Sequence, residues 1–262
     1  MPNIELIVTD LDNTLLRRDK TISGYTVSVF RRARERGVPI AFATGRPLSH
    51  VTRFSDVIKP QAMLLSNSST IVINGEIVKE FVMPLDSVNA MLYELALSGK
   101  TTKIGARARD VYYNTKPVTD IENQVYHDFR TSIDDVITHL SFHTEDEAFA
   151  LAILEKYPEF LHFRVSDDDL YDVALRGVTK ASGIKYIADY FGISLSETAA
   201  FGDDWNDIEM LRECGVGVAV ANAIDGCKAA ADRICGDCDD DGVARWIEEN
   251  VLSQQPAPPT ER

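Results

Sequence analysis

The stretch Ile4-Glu5-Leu6-Ile7-Val8-Thr9-Asp10-Leu11-Asp12-Asn13-Thr14-Leu15 decides how this chain folds. From Ile4 to Thr9 the run is apolar-rich without the alternation of a half-exposed strand, the pattern of a central parallel strand covered on both faces. It ends at two carboxylates, Asp10 and Asp12, spaced two apart. In an open α/β sheet the residues just beyond the carboxyl end of a central strand border the crevice in which ligands bind. Both acids are therefore expected to face one crevice.

Outward from this stretch the same rhythm repeats. Ser23 is a good N-cap for a helix running to about Arg36, which Gly37 ends. Val38 to Ala43 reads as a second buried strand and stops at Thr44-Gly45-Arg46; a helix follows from about Pro47. Ala62 to Leu65 is a third strand, stopping at Ser66 and Asn67, and Asn74-Gly75 between two short apolar runs signals a hairpin. The alternation predicts a Rossmann-like doubly wound parallel sheet. From about Pro84 to Leu175 the pattern changes to amphipathic helices, such as Asp86 to Ser98 and Glu145 to Tyr157, mixed with short strands near Val111, Ile137 to Phe142 and Phe160 to Val165. This stretch reads as an inserted α+β unit. The first rhythm then resumes with a helix at Thr179 to Phe191 that opens on Lys180, a strand at Ala199 to Phe201 leading into Gly202-Asp203-Asp204-Trp205-Asn206-Asp207, a strand at Val216 to Val220, and a helix near Val243 to Val251. The expected division is a core of residues 1–83 and 176–252, an insert of residues 84–175, and a Pro-rich disordered tail of residues 253–262.

The chain has 262 residues and a formal net charge of -14. That balance argues against a nucleic-acid or anionic-membrane surface, which needs clustered Lys and Arg. No stretch has the roughly 20 apolar residues of a membrane span or the layout of a signal peptide, so a cytoplasmic protein acting on small molecules is expected, with its oligomeric state unreadable. Cys235-Gly236-Asp237-Cys238 has metal-ligand spacing, but Cys214 and Cys227 do not form a second close pair, which favours four reduced thiols over a zinc site. The acidic runs 167–169 and 239–241 read as solvated loops or helix N-terminal acids rather than calcium sites. His139 and His143 share one face of a strand without a third ligand and read as exposed or packed, and Tyr112, Tyr113 and Trp205 as core.

Clustered carboxylates repel unless a hard cation sits among them, and a Thr and a Lys nearby supply what a phosphate dianion needs. The expected chemistry is Mg²⁺-dependent attack on a phosphate ester. Asp10 is assigned as the nucleophile and Asp12 as a general acid/base that retains its proton away from the cation. The expected metal group is Asp10, the backbone carbonyl of Asp12, and Asp203, with Asp207 orienting a metal-bound water. Thr44, Gly45 and Lys180 would hold the phosphate, with Arg46, Asn67 and Asn206 beside them.

On Asp10 to Leu15, Thr44-Gly45-Arg46, Lys180 and Gly202 to Asp207, and on the stretches Val218-Ala219-Val220-Ala221-Asn222-Ala223 and Asp241-Gly242-Val243, the chain resembles the haloacid dehalogenase superfamily, in particular the Cof-type phosphatases with a class IIB cap. The resemblance spans residues 3–251. It implies a Rossmann-like core, a mobile cap, Mg²⁺, an aspartyl-phosphate intermediate, and hydrolysis of small phosphorylated metabolites. The chain departs from the Cof-type pattern at Asn13, Ser68 and Ala221, where Gly is usual. A phosphomutase or phosphotransferase on the same scaffold is the alternative, and a pseudoenzyme sensing sugar phosphates is a third reading, although no motif residue is missing. Substrate selection is expected from the insert, with Arg107, Arg109, Tyr112, Tyr113, His127 and Arg130 as candidates.

Overall fold

The computed structural model describes residues 2–108, 111–118, 123–164 and 169–253. Arg109, the strand end expected at Val165, the acidic residues 167 and 168, and all of the tail expected at 253–262 except Ser253 lie outside them.

The first strand, β1 (Leu6–Thr9), is buried at every position, as an unbroken apolar run requires. Ser23 caps α1 (Gly24–Glu35) by accepting the Thr26 N–H. Then come β2 (Ile40–Ala43), α2 (Leu48–Ile58), β3 (Ala62–Leu65) and the expected hairpin, β4 (Thr70–Ile73) with β5 (Glu76–Glu80). A second group comprises α3 (Leu85–Leu97), β6 (Lys103–Ala108), β7 (Tyr112–Asn114), β8 (Gln124–Tyr126), β9 (Ile137–His143), α4 (Glu147–Glu155), β10 (Phe160–Arg164) and β11 (Leu170–Leu175). The chain closes with α5 (Lys180–Phe191), β12 (Thr198–Gly202), α6 (Ile208–Glu213), β13 (Val216–Ala219), α7 (Asp225–Ala230), β14 (Arg233–Ile234) and α8 (Gly242–Ile247).

The first sheet has the order β14-β13-β12-β1-β2-β3-β4-β5, parallel from β14 through β3, with the hairpin added antiparallel. The chain leaves β1 toward β2 and later returns to its other side through β12, so β1 stands at the switch point where an open sheet splays its loops apart. The fold is therefore α/β with a parallel-sheet core. The second sheet has the order β10-β11-β9-β6-β7-β8 and is antiparallel except between β7 and β8. Each sheet has its own apolar core. In the second, Ile104, Ala106 and Ala108 of β6 and Leu140 and Phe142 of β9 join the buried faces of α3 and α4. The intervening residues of those strands point the other way, over the carboxyl ends of the first sheet. Among the described residues no helix is long and apolar enough to cross a membrane.

Candidate active site

The loops after β1, β2, β3 and β12 and the first turn of α5 meet the open face of the second sheet around a cleft of about 500 Å³. Asp10, Asp12, Thr44, Gly45, Arg46, Lys180, Asp203 and Asn206 all line it. At its base lies a buried ion group. Lys180 Nζ donates to Asp10 Oδ1 at 2.8 Å and to Asp207 Oδ1 at 2.6 Å, and the lysine is 1% exposed. The local sequence sets this up: Thr179 caps α5 in a reciprocal pair with Ser182, fixing Lys180 as the first helical residue with its side chain aimed under β1. Burial works against the ammonium charge, but Asp10 and Asp207 outweigh it and raise the Lys180 pKa.

Asp207 is fully engaged. Its Oδ2 accepts the N–H groups of Asp203 (2.8 Å) and Asp204 (3.1 Å), while Oδ1 takes Lys180. The carboxylate expected to orient a metal-bound water thus shapes the loop after β12 and holds the lysine. Gly202 makes room for it, since a Cβ there would lie 2.5 Å from the Asp207 Cγ. Asp203 is held from the other side by the Thr14 hydroxyl at 2.6 Å, a contact between residues 189 positions apart that no local pattern announces.

Oxygens of Asp10, Asp203 and Asp207 lie within 4.8 Å of one another, a donor set suited to a hard divalent cation. Burial first, then the neighbouring carboxylates, raise Asp10 well above the usual carboxyl range, against the pull of Lys180. Asp203 is pushed up to about 7, by burial and then by Asp207, despite the Thr14 bond. One ammonium does not balance these acids, and the remaining negative charge is what a cation would compensate. The residues fit a divalent metal, with Asp10 and Asp203 the side chains placed to hold it.

Asp12 differs from the expectation of a retained proton. Arg46 clasps it through Nε and Nη2, both at 2.6 Å, and Lys20 Nζ adds a bond at 2.8 Å. Burial would raise its pKa, but the bonds to Arg46 and Lys20 overcome that and lower it to about 2. In this arrangement Asp12 is ionised. Lys20, not singled out from the sequence, lies eight residues from Asp12 at φ +63°, which returns its side chain to the crevice.

The phosphate-side loops interlock. The Asn67 N–H donates to the Thr44 carbonyl and the Ser66 N–H to that of Arg46, both at 3.0 Å, while Asn206 Nδ2 donates to Asn67 Oδ1 at 2.8 Å. The Thr44 hydroxyl accepts the Arg46 N–H and keeps its own proton to donate. Asn67 Nδ2 is buried without a hydrogen-bond partner among the described residues. Ser66, Asn67 and Ser68 have φ of +48°, +55° and +75°, a left-handed run that costs energy for side-chain-bearing residues. Asn13, at +54°, shares this geometry, so two of the three departures from glycine fall where glycine's freedom would be used. Helix α2 begins at Leu48, three residues after Gly45, and so does not place its first turn at Gly45.

Of the insert candidates, Arg107 and Tyr112 line the cleft; so do His139 and His143, which were expected to be merely exposed or packed, and Lys103, Ser141, Leu170 and Asp172, which the sequence reading passed over. The signal was the period-two spacing of 103, 105 and 107 and of 139, 141 and 143. Tyr113 instead bonds Asp135 and lies edge-on to His127, and Arg130 borders a separate depression. Trp205 is 57% exposed rather than core. The four cysteines are free thiols; Cys238 lies within ligand distance of Asp237 and Asp239, a group that does not include Cys235.

A parallel sheet with its acids at the switch point, a buried lysine between two of them and a second sheet closing the crevice define a hydrolase of the haloacid dehalogenase type. The chain belongs to the haloacid dehalogenase-like hydrolase family, whose model matches residues 7–247. It is 30% identical to the 5-amino-6-(5-phospho-D-ribitylamino)uracil phosphatase YitU of Bacillus subtilis, over 93% of this chain and 96% of that protein. It is 27% identical to an HMP-PP phosphatase of Escherichia fergusonii, over 96% of this chain and 98% of the relative. The fold matches that of a sugar phosphatase of subclass IIB of the superfamily with a TM-score of 0.82 at 24% identity, over 94% of this chain and 98% of the other.

Proposed function

We propose that the chain is a Mg²⁺-dependent phosphatase that hydrolyses small phosphomonoesters, the class to which the substrate named for its Bacillus subtilis relative belongs, with Asp10 as the nucleophile. The observation that carries this reading is the buried Lys180, which fixes Asp10 through Oδ1 while, among the described residues, Oδ2 takes no hydrogen bond. Mg²⁺ held by Asp10, Asp203 and the Asp12 carbonyl would neutralise phosphoryl oxygens and favour the ionised carboxylates.

Asp10 Oδ2 attacks phosphorus as the bond to the leaving alcohol oxygen breaks, giving an aspartyl phosphate. Water then attacks that phosphorus, releasing inorganic phosphate and the free carboxylate. Lys180, the Thr44 hydroxyl, the Gly45 N–H and Asn67 Nδ2 stand ready as donors to the phosphoryl oxygens, where negative charge accumulates. Asp12, ionised at rest, takes up a proton from solvent, passes it to the leaving alcohol and then takes one from the attacking water. It can do so only when Arg46 and Lys20 release it, and a bound phosphate dianion offers both cations a competing partner. Asp207 acts through Lys180 and the backbone of Asp203.

The test is inorganic phosphate release from a panel of phosphorylated metabolites. Mg²⁺ should support turnover and Ca²⁺ should not, because calcium's longer bonds and higher coordination number misplace Asp10. Asp10→Asn should abolish release. A phosphoenzyme in that variant would place the nucleophile elsewhere, and transfer to a second sugar rather than to water would make the enzyme a mutase.

A further inference from the structure

We infer that the second sheet carries an anion-binding subsite centred on Arg107, which selects phosphomonoesters whose leaving group bears a further anionic group, carboxylate or phosphate. This inference rests on the phosphatase reading above. Lys103, Gly105 and Arg107 occupy one face of β6, opposite His143, Ser141 and His139 of β9, and that face roofs the cleft. Arg107 lies over the Tyr112 ring, 4.4 Å from its centroid. The ring is fixed in turn: Tyr112 Oη bonds Ser141 Oγ at 3.1 Å and crosses the bare Gly105, where a Cβ would lie 2.0 Å from that oxygen. The guanidinium is thus presented on a rigid platform.

The other charges in the cleft have protein partners. Lys180 is bound by Asp10 and Asp207, Arg46 and Lys20 by Asp12, and Asp172 by His139 at 3.1 Å, while His143 meets Asp169 at 2.7 Å. Arg107 stands apart. No ion pair or side-chain hydrogen bond joins it to a carboxylate of the described residues, and Glu80, which borders an adjoining depression with it, has an interaction of its own. Burial lowers its pKa, yet a guanidinium stays protonated, so the site holds a partly desolvated cation with no paired carboxylate among the described residues. The planar fork suits two parallel bonds to a carboxylate or phosphate. The transferred phosphoryl group is served by donors on the first sheet, so the anion Arg107 meets belongs to the leaving group.

The test compares kcat/KM of the full chain with Mg²⁺ on matched pairs: glycerol phosphate against phosphoglycerate for a carboxylate, and a hexose monophosphate against its bisphosphate for a second phosphate. An aryl phosphate is the reference. The wild-type protein should favour the anion-bearing member of at least one pair by about 10- to 100-fold, and the arm that shows it identifies the anion. Arg107→Met should remove that preference mainly through KM and leave aryl phosphate turnover within about twofold, with Arg107→Lys recovering part of it. Calorimetric binding of the same pairs to the Asp10→Asn protein repeats the comparison without turnover. Equal kcat/KM within both pairs, or equal losses on every compound in Arg107→Met, would overturn the subsite while leaving the phosphatase reading intact. Failure to release phosphate even from the aryl ester would sink that reading, and the binding comparison would still decide the subsite.

Discussion

Two carboxylates share the ammonium of Lys180, and replacing each by its amide should have very unequal consequences for stability. In Asp207→Asn, one amide atom must face Lys180 Nζ, now 2.6 Å from Oδ1, and the other must face the N–H groups of Asp203 and Asp204, at 2.8 and 3.1 Å from Oδ2. Either orientation of the amide sets a donor against a donor. Breaking one partner of a buried ion group costs about 3–5 kcal/mol, and relief of the repulsion that Asp207 exerts on Asp10 and Asp203 moves the expected loss to about 3 kcal/mol. In Asp10→Asn, Lys180 keeps Asp207, the Asp10 N–H still donates to the Phe201 carbonyl at 2.9 Å, and one negative charge leaves an over-acidic cluster. Its stability should stay within about 1 kcal/mol of the wild type. Urea unfolding of metal-free protein measures both differences. An Asp207→Asn protein as stable as the wild type, or an Asp10→Asn protein that is the weaker of the two, would refute the assignment of Asp207 as the residue that organises the loop.

Two further outcomes concern the thiols. Burial pushes the Cys214 thiol up to about 12 from an ordinary value near 9, so the unfolded chain releases this proton at lower pH than the folded one. The stabilisation is complete below pH 9 and is lost as pH rises toward 12, at up to about 1.4 kcal/mol per pH unit; Cys214→Ala should flatten that part of the stability–pH profile, and an unchanged slope would contradict the burial argument. Replacing Cys235 and Cys238 by Ser should leave kcat/KM within about twofold, and stoichiometric zinc that is lost together with folding in this variant would show a structural metal site instead.

The strands of the core were readable because each is short, apolar throughout and closed by polar residues; β1, β2, β3 and β13 are buried at every position. The Ser23 cap was equally readable, since a cap is a contact among residues three apart. Strands β6 and β11 were not anticipated. Polar Lys103, Arg107 and Asp172 interrupt their apolar runs, because one face of each strand packs against its own core and the other faces the cleft.

What the sequence by itself determined is the fold class and the set of acids, lysine and threonine at the ends of its strands, because strand burial and loop chemistry are written within a few neighbouring residues. Only the tertiary structure decided what each of those groups does to the others. Arg46 clamps Asp12 from 34 residues away, Thr14 holds Asp203 from 189, and Asp207 spends both oxygens on Lys180 and the backbone. The roof of the cleft, with Arg107 stacked on Tyr112, likewise exists only once β6, β7 and β9 pair in register. Charge–charge energies and hydrogen bonds depend on distances in space, and separation along the chain does not encode those distances.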